Sequence, residues 1–98
     1  MIEHFHKDDE KYFITLEKYL LNKNTGYVFN HFTNGPDTEY NKLHKFDCIT
    51  LPKKGYDNAT IVKKICSNDF FEIFKYLNDE YGKLNEYFSY CQTCSPGF

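Results

Sequence analysis

Hydrophobic positions along the chain fall into groups separated by turn residues, and each group has its own period. Tyr12, Phe13, Leu16, Tyr19 and Leu20 recur at helical spacing behind Asp8 and Asp9. Either aspartate can cap a helix that runs to about Asn22, where Asn24 and Gly26 stop it. The run Tyr27-Val28-Phe29-Asn30-His31-Phe32 is short, aromatic and bounded by turn residues, which predicts a strand. Residues Thr33 to Thr38 then form a loop. From Leu43 to Leu51, the positions Phe46, Cys48 and Thr50 alternate with Asp47, Ile49 and Leu51. That alternation predicts a second strand with one buried face, ended by Pro52 and Gly55.

Asp57 or Asn58 opens a short predicted helix carrying Ile61, Val62, Ile65 and Cys66. After Ser67 and Asn68, Asp69 with Glu72 makes a capping-box-like start for a last helix. Along it Phe70, Phe74, Leu77, Tyr81, Leu84, Phe88 and Cys91 recur at alternating steps of four and three, with Glu72, Asp79 and Glu86 on the opposite side. As a coiled-coil seam this face would bring a second copy, a homodimer through the C-terminal helix; as a core stripe it would lie on its own sheet. Phe71, Ile73 and Tyr87 widen the stripe and favour the core. Gly82 costs ~1 kcal/mol inside a helix, so a bend or break is expected near it.

The expected architecture is therefore α+β, in the order α-β-β-α-α: a short antiparallel sheet packed on one face against helices, with a long amphipathic C-terminal helix. Two strands are marginal alone, so Ile2 to His6 offers a third. One globular domain is expected over 1–98, with 1–7 and 94–98 frayed. At 98 residues roughly 60–65% of the unfolded surface can be buried. Ten Phe and nine Tyr against a single alanine, Ala59, make the core aromatic by necessity.

Charge narrows the partners. Net charge is −2, and the cationic residues are all lysine, with no arginine to supply the bidentate fork that reads guanine. This argues against sequence-specific DNA reading. The bias to Lys and Asn fits AT-rich coding, as in a phage, a mobile element or a low-GC bacterium. No apolar run approaches the ~20 residues of a membrane span, and the acidic N-terminus does not read as an export signal. A cytoplasmic location is expected, and the four cysteines are then read as free thiols or metal ligands rather than disulfides.

Cys91-Gln92-Thr93-Cys94 is the most specific local motif, a turn able to present two thiolates to zinc. A redox role is disfavoured because the pair follows a helix C-terminus, whose field raises thiol pKa. The remaining zinc candidates, Cys48, Cys66, His31 and His44, contain no second pair of that spacing. On an extended strand His44 and Cys48 lie about 13 Å apart, too far to share an ion. The expectation is thus no metal and no cofactor, with Cys91 in the core and Cys94 in a loose tail. His31-Phe32-Thr33 resembles one half of the paired His-x-Thr pattern of two-histidine phosphoesterases, but His44 is followed by Lys45-Phe46 and supplies no second half. His4 and His6 near Asp8 and Asp9 read as terminal histidines. Lys53, Lys54, Lys63 and Lys64 are the one basic concentration, and the loop 33–42 carries Asp37, Glu39 and Tyr40.

With no complete catalytic set, these features point to a small protein-binding module, an inhibitor or regulator of a host or cognate protein of the phage or mobile-element type. It would bind through Asp37, Glu39, Tyr40, Lys53 and Lys54, with no catalytic residue. The alternatives are a small zinc-binding protein using Cys91 and Cys94, and behind it a phosphoesterase-like or thiol enzyme using His31.

Overall fold

The computed structural model describes residues 1–6, 9–21, 26–51 and 62–95. Its elements are β1 (Glu3–Phe5), α1 (Lys11–Leu21), β2 (Tyr27–His31), β3 (Lys42–Lys45), β4 (Lys63–Ser67), α2 (Phe70–Glu80) and β5 (Ser89–Tyr90). Both helices start where a carboxylate meets their unpaired N–H groups. Asp9 accepts from the Lys11 N–H at 2.9 Å, and Asp69 accepts from the Glu72 N–H at 3.1 Å. Glu72 does not close the capping box. Its carboxylate instead accepts from the Ser67 hydroxyl and pairs with the N-terminal ammonium of Met1.

Among the described residues five strands make one mixed sheet, in the order β1-β4-β2-β3-β5. Only the β3–β5 pair is parallel. Ile2 to His6 thus supplies a paired strand at Glu3–Phe5 rather than a frayed end. The central strand β2 carries Val28 and Phe29, both fully buried though adjacent residues face opposite sides of a sheet. Val28 shares its face with Phe5, Cys66 and the α1 residues Tyr12 and Tyr19. Phe29 shares the other with Leu43, Ile65 and the α2 residues Ile73 and Leu77. The helices therefore cover opposite faces, not one face as expected. The stripe on α2 is taken up by the chain's own sheet, with Ile73 and Leu77 fully buried.

Three expected elements differ for related reasons. The predicted helix around Ile65 is the strand β4, paired on one side with β1 and on the other with β2. Because both its faces are covered, Ile65 and Cys66 are each buried and no polar alternation marks the strand. The start of that predicted helix lies outside the described residues. The strand expected to reach Leu51 stops at Lys45, where the chain turns: Cys48 N–H donates to the Lys45 carbonyl at 3.0 Å and Leu51 N–H to the Cys48 carbonyl at 3.1 Å.

The long C-terminal helix ends at Glu80. Tyr81 and Gly82 both donate to the Leu77 carbonyl at 3.0 Å, and the backbone then turns through Asn85, which lies in the left-handed region with φ 65°. Tyr87 folds back over Gly82 so closely that a Cβ there would sit 2.6 Å from the Cβ of Tyr87. Leu84, Phe88 and Cys91 continue the spacing of the helix but belong to a turn, a bridge and the segment after β5. Among the described residues no helix is long and apolar enough to cross a membrane.

Two substitutions test this packing. Gly82→Ala is expected to destabilise the fold by about 1–3 kcal/mol in chemical denaturation, because Tyr87 must move off the backbone. Tyr12 is fully buried and its hydroxyl lacks a hydrogen-bond partner. Tyr12→Phe should then leave stability unchanged or raise it by up to ~1–2 kcal/mol, since it removes an unpaired buried group; a clear loss would mean that the hydroxyl is satisfied.

Candidate metal centre

The two-residue parallel ladder of β3 and β5 aligns Lys42 with Ser89 and Leu43 with Tyr90. Its flanking bonds, Ser89 N–H to the Asn41 carbonyl and Cys91 N–H to the Leu43 carbonyl (2.9 Å), bring Cys91 beside His44. Residues 91–95 then make one turn, closed by Ser95 N–H on the Cys91 carbonyl at 2.9 Å, which returns Cys94 to the same spot. There its sulfur accepts from the Lys45 N–H at 3.3 Å. From the other side, the turn after Lys45 carries Cys48 back towards His44. The expected 13 Å separation holds for an extended chain, and the chain is not extended here.

His44, Cys48, Cys91 and Cys94 therefore converge, one ligating atom from each lying within 4.8 Å of all the others. Cys48 Sγ and Cys91 Sγ are 3.7 Å apart. A tetrahedron with Zn–S bonds of ≈ 2.3 Å has sulfur–sulfur edges of about 3.8 Å, so this spacing suits a shared ion. It is far beyond the ~2.05 Å of a disulfide, and all four cysteines are free. The Thr50 hydroxyl touches three of the set, at 3.0 Å from Cys48 Sγ, 3.4 Å from His44 Nδ1 and 3.9 Å from Cys91 Sγ. His44, Cys48 and Cys91 are buried, and Cys94 is half-buried against the same cluster.

Burial and close neighbours set the protonation of the donors. Burial first, then the ammonium groups of Lys64 and Lys42, hold the His44 pKa down to about 4, so its imidazole is neutral with a lone pair to give. Burial pushes the Cys91 thiol up, but the N–H groups of Cys94 and Thr93 together with hydrogen bonds from Cys48 and Thr50 outweigh that and bring it to about 7. Cys94 is pushed up to about 12 by burial and by its sulfur neighbours Cys48 and Cys91. Binding a divalent ion requires these thiols to give up their protons, and the ion's own charge at their centre supplies the attraction that favours it.

Other residues singled out from the sequence go elsewhere. Cys66 is buried in β4 and stands outside the group of four. His31 is also outside it, at the end of β2, where its Nε2 lies 2.8 Å from the Tyr87 hydroxyl. His4 packs edge-on against Tyr76 at 5.6 Å. Lys53 and Lys54 lie outside the described residues. Lys63 and Lys64 are strand residues rather than a helix end. Lys64 is buried with its ammonium on Asn30 Oδ1, and burial draws its pKa down to about 8. Asp37 turns its carboxylate onto the N–H groups of Glu39 and Tyr40, at 2.9 Å each. Tyr40 itself is exposed and rests on exposed Phe32 with ring centres 5.0 Å apart.

Thr50 and Asn41 were not singled out by pattern, since one threonine or asparagine in a turn-rich stretch carries no distinguishing signal. Asn41 is fully buried. Its Oδ1 accepts from the Phe32 and Thr33 N–H groups at 2.8 and 3.0 Å, and its Nδ2 donates to the carbonyls of Thr33, Gly35 and Tyr87. It thereby pins the loop after β2 to the segment leading into β5. Asn41→Ala should cost roughly 1–3 kcal/mol or more in urea unfolding, because several buried groups lose their partner together; an unchanged midpoint would show that water replaces the amide.

Comparisons with protein-family models, with curated proteins and with solved structures found no match to this chain.

Proposed function

We propose that the chain is a small zinc-stabilised binding domain in which His44, Cys48, Cys91 and Cys94 hold one Zn²⁺. The observation that carries this reading is the convergence, within 4.8 Å, of four donors from two segments far apart in sequence. Four protein donors fill a tetrahedral zinc and leave no position for substrate, which is the pattern of a structural rather than a catalytic site. The ion would tie the turn 44–48 to the segment 91–94 and secure a sheet edge that otherwise rests on a two-residue strand. A reducing, cytoplasmic setting keeps the thiols available.

What the scaffold presents supports binding rather than catalysis. Tyr40 and Phe32 stand exposed as a tilted ring pair at the loop that Asn41 and Asp37 rigidify. Rigid aromatics of this kind cost little side-chain entropy to order against a partner. A cognate protein met through Tyr40 and its neighbours Asp37 and Glu39 fits this surface.

Elemental analysis of protein purified without chelator is expected to give one zinc per chain. Cobalt substitution should produce thiolate-to-metal charge-transfer absorption. A strong chelator should lower the melting temperature by roughly 15 °C or more, as loss of ~4 kcal/mol of linked binding energy implies for a domain this small. Cys94→Ser should weaken metal retention at least tenfold, whereas Cys66→Ser should retain it. Metal-free protein whose melting temperature ignores chelator would overturn the proposal.

A further inference from the structure

A cleft of about 410 Å³ opens where β2 and β4 end, on the sheet face opposite the metal centre, lined chiefly by His6, His31, Lys63, Thr33, Phe32 and Tyr81. The Lys63 ammonium is its cationic group; burial and that ammonium hold the His31 pKa below its ordinary value, so the imidazole is neutral. His31 and Lys63 are register partners across β2 and β4, so their side chains leave the sheet on the same face. No aspartate or glutamate is among the described lining residues, although the chain as a whole is acidic. An anion is the ligand that this lining complements.

The His31 ring is held in one orientation by a short relay. Tyr87 has one hydroxyl proton, which it donates to the Thr33 carbonyl at 2.8 Å. It must therefore accept from His31 Nε2–H at 2.8 Å, leaving Nδ1 with its lone pair as an acceptor for a ligand hydroxyl. Tyr81 backs the same ring, with centres 4.6 Å apart, and is itself stacked on Tyr87 at 5.5 Å and 10°.

The remaining wall is planar and apolar. Phe32 is half exposed and in contact with the Tyr40 ring. A volume of this size falls within the ~300–1,000 Å³ of small-molecule sites, well above what a bare inorganic anion needs. A planar apolar wall beside the Lys63 ammonium and a histidine acceptor matches a ligand with a planar ring at one end, a phosphate at the other and a hydroxyl-bearing sugar between.

We propose that this cleft binds a nucleoside monophosphate group, either as a free nucleotide or as the phosphorylated end of a single strand, with the phosphate at Lys63, a sugar hydroxyl donating to His31 Nδ1 and the base against Phe32. This small-molecule site is additional to the protein contact proposed at Tyr40, Asp37 and Glu39 and does not rest on the metal, which lies on the other sheet face.

Calorimetric titration of the full chain, with circular dichroism and metal content checked for each variant, tests it with AMP, inorganic phosphate and adenosine as probes. AMP should bind more tightly than either fragment. Lys63→Gln and Lys63→Ala should each weaken AMP and phosphate about tenfold, which is ~1.4 kcal/mol. Phe32→Ala should weaken AMP about tenfold while leaving phosphate unchanged, the split expected if the ring meets the base alone. A short oligonucleotide with and without a 5′-phosphate separates the two sources: tighter binding of the phosphorylated form than of AMP assigns the strand end, and the reverse assigns the free nucleotide. No heat or chemical-shift change with AMP and phosphate at about 10 mM, or AMP binding that both Lys63 variants leave unchanged, would overturn it. Either result would leave zinc stoichiometry untouched, so failure of the cleft and failure of the metal centre are read separately.

Discussion

The feature on which the rest of this structure depends is the two-residue parallel pairing of β3 with β5. A parallel neighbour cannot be reached by a hairpin, and the chain makes the crossover by way of β4 and α2. Closing so long a connection costs entropy that two rungs of ladder offset poorly. Side chains on either side of the rungs supply what the backbone does not. Asn41 ties the loop after β2 to the Tyr87 carbonyl, the Ser89 hydroxyl donates to the Thr38 carbonyl at 2.6 Å, and the Lys42 ammonium donates to Ser89 Oγ at 2.7 Å. A metal held by His44, Cys48, Cys91 and Cys94 would be the strongest of these fastenings, placed just beyond the last rung.

A sheet covered on both faces has a second consequence. Successive residues of one strand serve different layers, so the face of β2 marked by Val28 belongs to the metal side and the face marked by Phe29 and His31 to the cleft side. Lys63 and Lys64 show the same division. Lys63 lies beside His31 at the cleft, while Lys64 is buried with Asn30 on the opposite face and acts electrostatically on His44. The basic pair that looked like one patch along the chain is thus split between two sites. The two faces are filled mainly with aromatic rings in edge and stacked contacts, as a chain with one alanine and nineteen Phe and Tyr must do.

Much of the fold was legible wherever a local signal and the tertiary environment agreed. The helix α1 with its aspartate cap, the aromatic run of β2 and the Asp69 start of α2 are all short-range properties and appear as expected, while the apolar stripe of α1 holds at Tyr12 and Tyr19 but leaves Leu20 exposed and buries Thr15. Where burial on both sides removed the polar half of a pattern, as at Ile65 and Cys66, a strand took on the spacing of a helix. Where a close approach overrode spacing, as Tyr87 does at Gly82, a long periodic run was cut into a helix, a turn and a strand.

By itself the sequence determined a small α+β chain, an aromatic core, a cap at Asp69 and a two-cysteine turn at Cys91 and Cys94, because these follow from residue type and near-neighbour spacing. Only the tertiary structure decided that His44 and Cys48 share a point with that turn and that His31 stands beside Lys63. The first depends on a backbone reversal after Lys45 and on an edge pairing that spans most of the chain; the second depends on the β2–β4 register. Contacts of that kind are set by which faces can be buried together, and no periodicity within one segment records them.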